Sequence, residues 1–171
     1  MAETRSRVRD CIYRNPGIHF NAISRTLDIA TGQTQYHLRK LSREEKVLKS
    51  GVCGRTHYYP PTFSEWEQGA IALLRRETTR EIVLLLLRQQ ELPPGEVAER
   101  LDLARSTVEW HVTRLVEYKM AEKHKRADDS ELVVTLLEDA DLYRLVREIE
   151  PRLLDRVVDR FSRLTDDLLE E

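Results

Sequence analysis

Between Gln33 and Arg43 the chain interleaves Gln33, Gln35, Tyr36, Arg39, Lys40 and Arg43 with the apolar residues Leu38 and Leu41. On a helix turning about 100° per residue, Thr34, His37, Leu38 and Leu41 share one side. Gly32, Tyr36, Arg39, Lys40 and Arg43 share the other, with Gln33 and Gln35 on its flanks. Arg and Lys neutralise phosphates, and Arg and Gln fork onto guanine and adenine edges. Tyr36 suits a thymine methyl or a sugar. Lys49 and Arg55 follow in a stretch that alternates like a β-hairpin. This is the chemistry of gripping duplex DNA, not of making or breaking bonds.

A second set lies further on: Arg105, Ser106, Thr107 and Arg114 on one predicted helix, then Lys123, Lys125 and Arg126 in another hairpin. Here the outward side also carries Glu109 and Glu117, which phosphate repels, and Trp110, which suits DNA or a second subunit equally. The second set therefore reads as a backbone grip, a partner surface or a weaker DNA reader.

Bond-making chemistry lacks its usual signatures. The chain has no GxGxxG, P-loop, GxSxG or metal-ligand cluster. No enzyme activity, cofactor or metal is expected. Cys11 and Cys53 form no CxxC and read as reduced, unpaired thiols, with a redox or metal-sensing role for Cys53 beside His57 as the alternative. His37 and His111 sit at the edge of an apolar stripe, so a packed, hydrogen-bonded role outweighs metal binding or proton sensing.

The elements that hold these side chains are repeated. Residues 23–41, ISRTLDIATGQTQYHLRKL, lie over residues 97–115, VAERLDLARSTVEWHVTRL, at an offset of 74. Leu27/Leu101, Asp28/Asp102, Ala30/Ala104, His37/His111 and Leu41/Leu115 are identical, and nearly every other apolar position is matched in kind. Each copy reads as a helix (5–14; 79–90), a break at Asn15-Pro16-Gly17 or Pro93-Pro94-Gly95, a short helix, a tight turn (28–30; 102–104), a longer helix and a hairpin. Asn21 and Thr31 are expected to cap the two later helices of the first copy. The long helices are expected to run to about Glu45 and Tyr118. Ser64-Glu65-Trp66-Glu67 reads as a capping box opening a connecting helix to about Arg76.

The expected fold class is therefore mainly α with small β-hairpin wings: tandem winged helix-turn-helix domains plus C-terminal helices. Expected boundaries are 1–61 for the first winged helix, 62–78 for the connection, 79–137 for the second and 138–171 for a C-terminal helical segment. A helix-turn-helix presents its second helix to the major groove, and the wing reaches the backbone or minor groove.

Charge follows this division. The 171 residues carry a net −2, which alone argues against nucleic acid, but residues 1–60 hold 11 basic and 5 acidic side chains. Residues 61–137 hold 11 and 14, and residues 138–171 hold 6 and 11. Arginine outnumbers lysine 22 to 6, and its planar fork suits phosphates and guanine. The basic footprint lies in the first third.

PGIHFNAISRTLDIATGQTQYHLRKL, the wing GRTHYYP and LARSTVEWHVTRL resemble the ArsR/MarR-like winged-helix superfamily, and especially archaeal regulators with two such domains. The resemblance covers roughly residues 5–137. It implies a dimeric DNA-binding transcription regulator. It does not carry over the cysteine pair of metal-responsive members.

In the tail, Leu142, Leu145, Val146, Ile149, Leu153, Val157, Phe161, Leu164 and Leu168 recur at steps of three or four. This apolar stripe either folds back on its own domain or forms a homodimer contact, the favoured reading because a two-fold protein matches a palindromic site. The longest apolar run, Ile82–Leu87, is far short of the roughly 20 residues of a membrane span, and the N-terminus lacks a secretory apolar region. The protein is expected to be cytoplasmic, with duplex DNA as its partner and any small-molecule effector unspecified. The alternative is a winged-helix scaffold in a transcription, replication or chromosome-associated complex.

Overall fold

The computed structural model describes residues 2–128, 130–137 and 140–149. The chain divides into two compact units between Ala72 and Leu73, inside the segment expected to connect two domains.

The first unit opens with α1 (Ala2–Arg14), whose Val8, Cys11 and Ile12 recur at helical spacing on the buried face. Asn15 ends it, its backbone and side-chain amides both donating to the Cys11 carbonyl. Gly17 then takes a positive φ of 78°, a conformation that costs glycine little. Strand β1 (Ile18–His19) leads into α2 (Phe20–Leu27). The N-cap is His19, not Asn21: the His19 ring nitrogen Nδ1 accepts from the Ala22 amide at 3.3 Å. A ring nitrogen here does the work of the expected side-chain oxygen.

Helix α3 (Thr31–Arg43) starts one residue earlier than expected, with Ala30 at the N-cap and Thr31 already helical. Its Thr34, His37, Leu38 and Leu41 are buried, as the helical spacing requires. The first core joins Val8, Ile12, Ile18, Ile23, Leu38, Leu41, Val47 and Tyr58, and burial of each large aliphatic there contributes roughly 1.5–3 kcal/mol. Strands β2 (Leu48–Val52) and β3 (Arg55–Tyr59) form the wing, and β1 pairs with β3 to complete an antiparallel sheet of order β1-β3-β2. The Cys53-Gly54 turn has both residues at positive φ, 49° and 76°, as a two-residue hairpin with right-handed strand twist demands. Helix α4 (Glu65–Leu74) opens on the expected capping box: Glu67 N donates to Ser64 Oγ, and Ser64 N donates to Glu67 Oε2.

The second unit repeats the plan. It comprises α5 (Glu77–Gln89), β4 (Glu91–Leu92), α6 (Pro94–Leu101), α7 (Arg105–Glu117), β5 (Ala121–Lys125), β6 (Leu132–Leu136) and α8 (Ala140–Ile149). Its sheet has the same plan, order β4-β6-β5. Pro94 occupies the first turn of α6, where its missing N–H is harmless, so this helix begins two residues before the expected Glu96. Ile82, Leu86, Val97, Val108, Val112, Leu115, Met120 and Val133 are all buried.

Leu142, Leu145 and Val146 of α8 are also buried within the single chain. Their burial within one chain favours the fold-back alternative for this part of the stripe. Leu142 and Leu145 are core residues here, not surface available to a second copy. Ile149 is half-buried. Leu153, Val157, Phe161, Leu164 and Leu168 lie outside the described residues.

Two backbone devices recur at the repeat offset. Asp28 and Asp102 end the short helices in the left-handed conformation, at φ 50° and 53°. Glu45 and Lys119 do the same after the long helices, at φ 54° for both. There, Lys46 N donates to Leu41 O and Met120 N donates to Leu115 O, the helix-closing bond of a Schellman motif. The long helices thus stop at Arg43 and Glu117 rather than running to Glu45 and Tyr118.

Candidate nucleic-acid interface

Burying Leu38 and Leu41 turns the opposite side of α3 outward. Gln33, Gln35, Tyr36, Arg39 and Arg43 are exposed, and Lys40 is half-buried with its Nζ 5.2 Å from the Tyr36 ring centre. Such a cation over an aromatic face is held electrostatically. Exposed Lys49 stands on β2 and exposed Arg55 on β3.

The fold brings four of these side chains together. Gln35, Arg39 and Arg43 from α3 and Lys49 from the wing line one groove, floored by Phe20, Leu38 and Tyr58. Arg39, Arg43, Lys49 and Arg55 are exposed and make no ion pair among the described residues. Gln33, Tyr36 and Lys40 do not line this groove. Arg55 instead borders a neighbouring depression with His19, Asn21 and Arg25. Arg25 was missed by the sequence reading, which treated α2 only as a carrier of Ile23 and Leu27. Its position, two residues from each and so on the opposite side of the helix, was the available signal.

In the second unit the same positions are occupied differently. Lys123 of β5 pairs with Glu109 of α7, and Arg114 pairs with Glu117. Arg126 Nε lies 3.0 Å from Glu91 Oε1, with Glu131 3.4 Å from its Nη1. His124 Nε2 is 3.2 Å from Glu91 Oε2. The Arg126 hydrogen bond, aided by His124, holds the Glu91 carboxyl below its ordinary range. Arg105 borders a depression with Glu96, Glu99, Glu109 and Glu131. Ser106 is exposed, and Thr107 is half-buried. Lys125 is exposed and has no ion pair among the described residues. Trp110 is 39% exposed, with the Arg76 and Arg114 guanidinium carbons 5.3 and 5.4 Å from its ring centre.

Both histidines pack against a neighbouring ring, but His37 Nδ1 is buried with no hydrogen-bond partner among the described residues, so the expected hydrogen-bonded role is met only at His111. His37 is buried and touches the Tyr36 ring edge-on at 5.2 Å; His111 touches Trp110 likewise at 4.8 Å. His111 Nδ1 lies 2.8 Å from Thr79 Oγ1. Burial pushes both imidazoles below their ordinary pKa, with Arg5 adding to the effect on His37 and Arg76 to that on His111. Cys11 is buried and Cys53 half-buried, and no cluster of metal-ligating side chains occurs among the described residues. No helix among them is long and apolar enough to cross a membrane.

Comparison with known proteins agrees with this architecture. Residues 2–71 match the profile of an N-terminal helix-turn-helix domain, and residues 75–118 match that of a winged helix-turn-helix DNA-binding domain. The chain thus carries two helix-turn-helix domains in a tandem winged-helix fold. An uncharacterised HTH-type transcriptional regulator of Methanocaldococcus jannaschii is 26% identical over 113 residues, which is 66% of this chain. This chain spans only 28% of that protein's length. Among solved structures, the adhesin competence repressor AdcR of Streptococcus pyogenes is 22% identical, with a TM-score of 0.41 over 54% of this chain and 66% of its own. Reduced HlyU of Vibrio cholerae is 20% identical, with a TM-score of 0.41 over 48% and 83%. ZitR of Lactococcus lactis, solved in complex with DNA as a cysteine-to-serine mutant, is 17% identical, with a TM-score of 0.39 over 53% and 60%.

Proposed function

We propose that the protein is a sequence-specific, double-stranded DNA-binding transcription regulator and not an enzyme. Its first winged helix is the principal reader. The observation that carries this is the groove between α3 and the wing, where Gln35, Arg39, Arg43 and Lys49 converge and the three cations are free of acidic partners among the described residues. In this reading α3 enters the major groove with Gln33, Gln35, Tyr36, Arg39, Lys40 and Arg43 towards base edges and phosphates. Lys49 and Arg55 bring the wing onto the flanking backbone. Arg25, beside Arg55, extends the phosphate-facing surface.

The ArsR/MarR-like character, the domain limits 1–61, 62–78, 79–137 and 138–171, and a cytoplasmic setting belong to the same proposal. A homodimer is assigned to the apolar stripe from Ile149 through Leu153, Val157, Phe161, Leu164 and Leu168, because a two-fold protein reads a palindrome. A scaffold role is favoured only for the second unit, where Trp110 is exposed and Arg114, Lys123 and Arg126 are bound to the unit's own acids.

Selection of bound duplexes from a random pool tests the reading. Enrichment of one palindromic sequence supports a dimeric sequence-specific regulator. Recovery of no duplex above background removes DNA binding and leaves the scaffold.

A further inference from the structure

The internal repeat permits a residue-by-residue comparison of the two grooves. At the offset of 74, Lys49 corresponds to Lys123 and Gln35 to Glu109. Each lysine stands on the first strand of its wing, and each partner position stands on the outer side of the long helix. In the first unit, Gln35 and Lys49 line the same open groove, and Lys49 makes no ion pair among the described residues. In the second, the Glu109 carboxylate crosses from α7 to the wing and binds the Lys123 ammonium. The Lys123 side chain is 27% exposed there, withdrawn towards its partner.

We propose that Glu109 is an internal stand-in for a DNA phosphate, holding Lys123 across the groove between α7 and the wing and so keeping the second unit off DNA. The difference between Gln35 and Glu109 decides which of the two lysines is available. This rests on reading the first unit as the DNA binder. A neutral amide at position 35 leaves Lys49 a full positive charge for a phosphate. A carboxylate at 109 neutralises Lys123. If phosphate displaced it, the freed carboxylate would face a polyanion at close range. Both effects oppose contact. The surrounding exchanges act in the same direction: Arg39 corresponds to Thr113, and Arg43 to Glu117, which binds Arg114.

The test is a double-mutant comparison on the full chain: wild type, Lys123→Ala, Glu109→Gln and the double variant. Affinity for a long mixed-sequence duplex is measured from about 50 to 200 mM salt, and each phosphate neutralised steepens the log–log slope by about 0.9. Lys123→Ala is expected to leave the wild-type slope unchanged, because that lysine is already occupied. Glu109→Gln is expected to steepen it by about 0.9, so that the gain in affinity is about threefold larger at 50 than at 200 mM salt. Adding Lys123→Ala is expected to abolish that gain, which separates release of the lysine from mere loss of a negative charge. Three results would each overturn the proposal: no steepening with Glu109→Gln, a gain that survives Lys123→Ala, or a shallower slope from Lys123→Ala alone. An Arg39→Ala/Arg43→Ala variant run alongside reports separately on the first unit. If its binding is intact, the parent reading fails, whatever Glu109 does.

Discussion

Ser24 donates a hydrogen bond to Thr34 at 2.9 Å, joining α2 to α3 beneath the proposed DNA-reading face. In the second unit Ala98 and Val108 occupy the same two positions, both buried. A polar pair has been exchanged as a pair for an apolar one of similar shape. Removing one partner breaks this bond, while Thr34 Oγ1 still donates to the Ala30 carbonyl at 3.2 Å and Ser24 Oγ can still donate to the Phe20 carbonyl at 3.5 Å; removing both is close to neutral.

Chemical denaturation of Ser24→Ala, Thr34→Val and their double variant makes this quantitative. Each single change is expected to cost about 0.5–1.5 kcal/mol, and the double to cost less than the sum. Strict additivity would mean that the hydroxyls do not stabilise each other.

Folding stability is expected to decline as pH falls below the ordinary histidine range. Burial lowers the folded-state pKa of His37 and His111 beneath the ordinary value of 6.5. Below 6.5 the unfolded chain takes up protons that the folded chain resists, so the histidine contribution is complete above 6.5 and is lost progressively down to the folded pKa. Each group adds a slope no steeper than about 1.4 kcal/mol per pH unit. Urea titrations from about pH 7.5 to 5 are expected to show the decline, and His37→Gln/His111→Gln is expected to flatten it. An unchanged slope in that variant would assign the proton uptake elsewhere. Glu44 and Glu91, held below the usual carboxylate range chiefly by Lys46 and Arg126 respectively, act in a separate, more acidic window. Their contribution is lost as pH falls through their depressed values.

Asp28 and Asp102 turn each helix-turn-helix in the left-handed conformation, which Asp tolerates and β-branched residues do not. Asp102→Val is expected to lower stability by roughly 1–2 kcal/mol, and Asp102→Gly to be neutral or stabilising. Thermal melts of the two variants decide. Equal losses in both would place the cost in the lost carboxylate rather than in the backbone.

Chain shortening distinguishes the two uses of the C-terminal stripe. Ending the chain after Glu150 is expected to leave a folded monomer, since Leu142, Leu145 and Val146 remain in the core. Ending it before Asp139 removes those three and is expected to destabilise the second unit. Sedimentation reads the first outcome and denaturation the second. An unchanged dimer after the shorter cut would move the subunit contact elsewhere.

Apolar spacing made most of the fold legible. Thr34, His37, Leu38 and Leu41 point inward because a 3.6-residue period places them there. Matching of that pattern at 97–115 exposed the second copy. Helix ends were less legible. No glycine marks the stop at Glu45 or Lys119, so the Schellman bonds that close α3 and α7 had no sequence signature. His19 as an N-cap was invisible for a similar reason, since imidazole is not among the usual capping groups. For the candidate site, helical periodicity sorted outward from inward residues but could not say which cations would be paired. Lys49 and Lys123 hold the same wing position, and the exchange of Gln35 for Glu109 shows its effect only through the strand-to-helix geometry that brings Glu109 to Lys123.

The central claim is that the outward face of α3 reads DNA. Its most direct test is the affinity and salt slope of Arg39→Ala/Arg43→Ala on a duplex recovered by selection, measured beside wild type. The account predicts weaker binding and a slope shallower by about 0.9 for each lost phosphate contact, with base preference at the corresponding positions relaxed. Affinity, slope and preference all equal to wild type would contradict it.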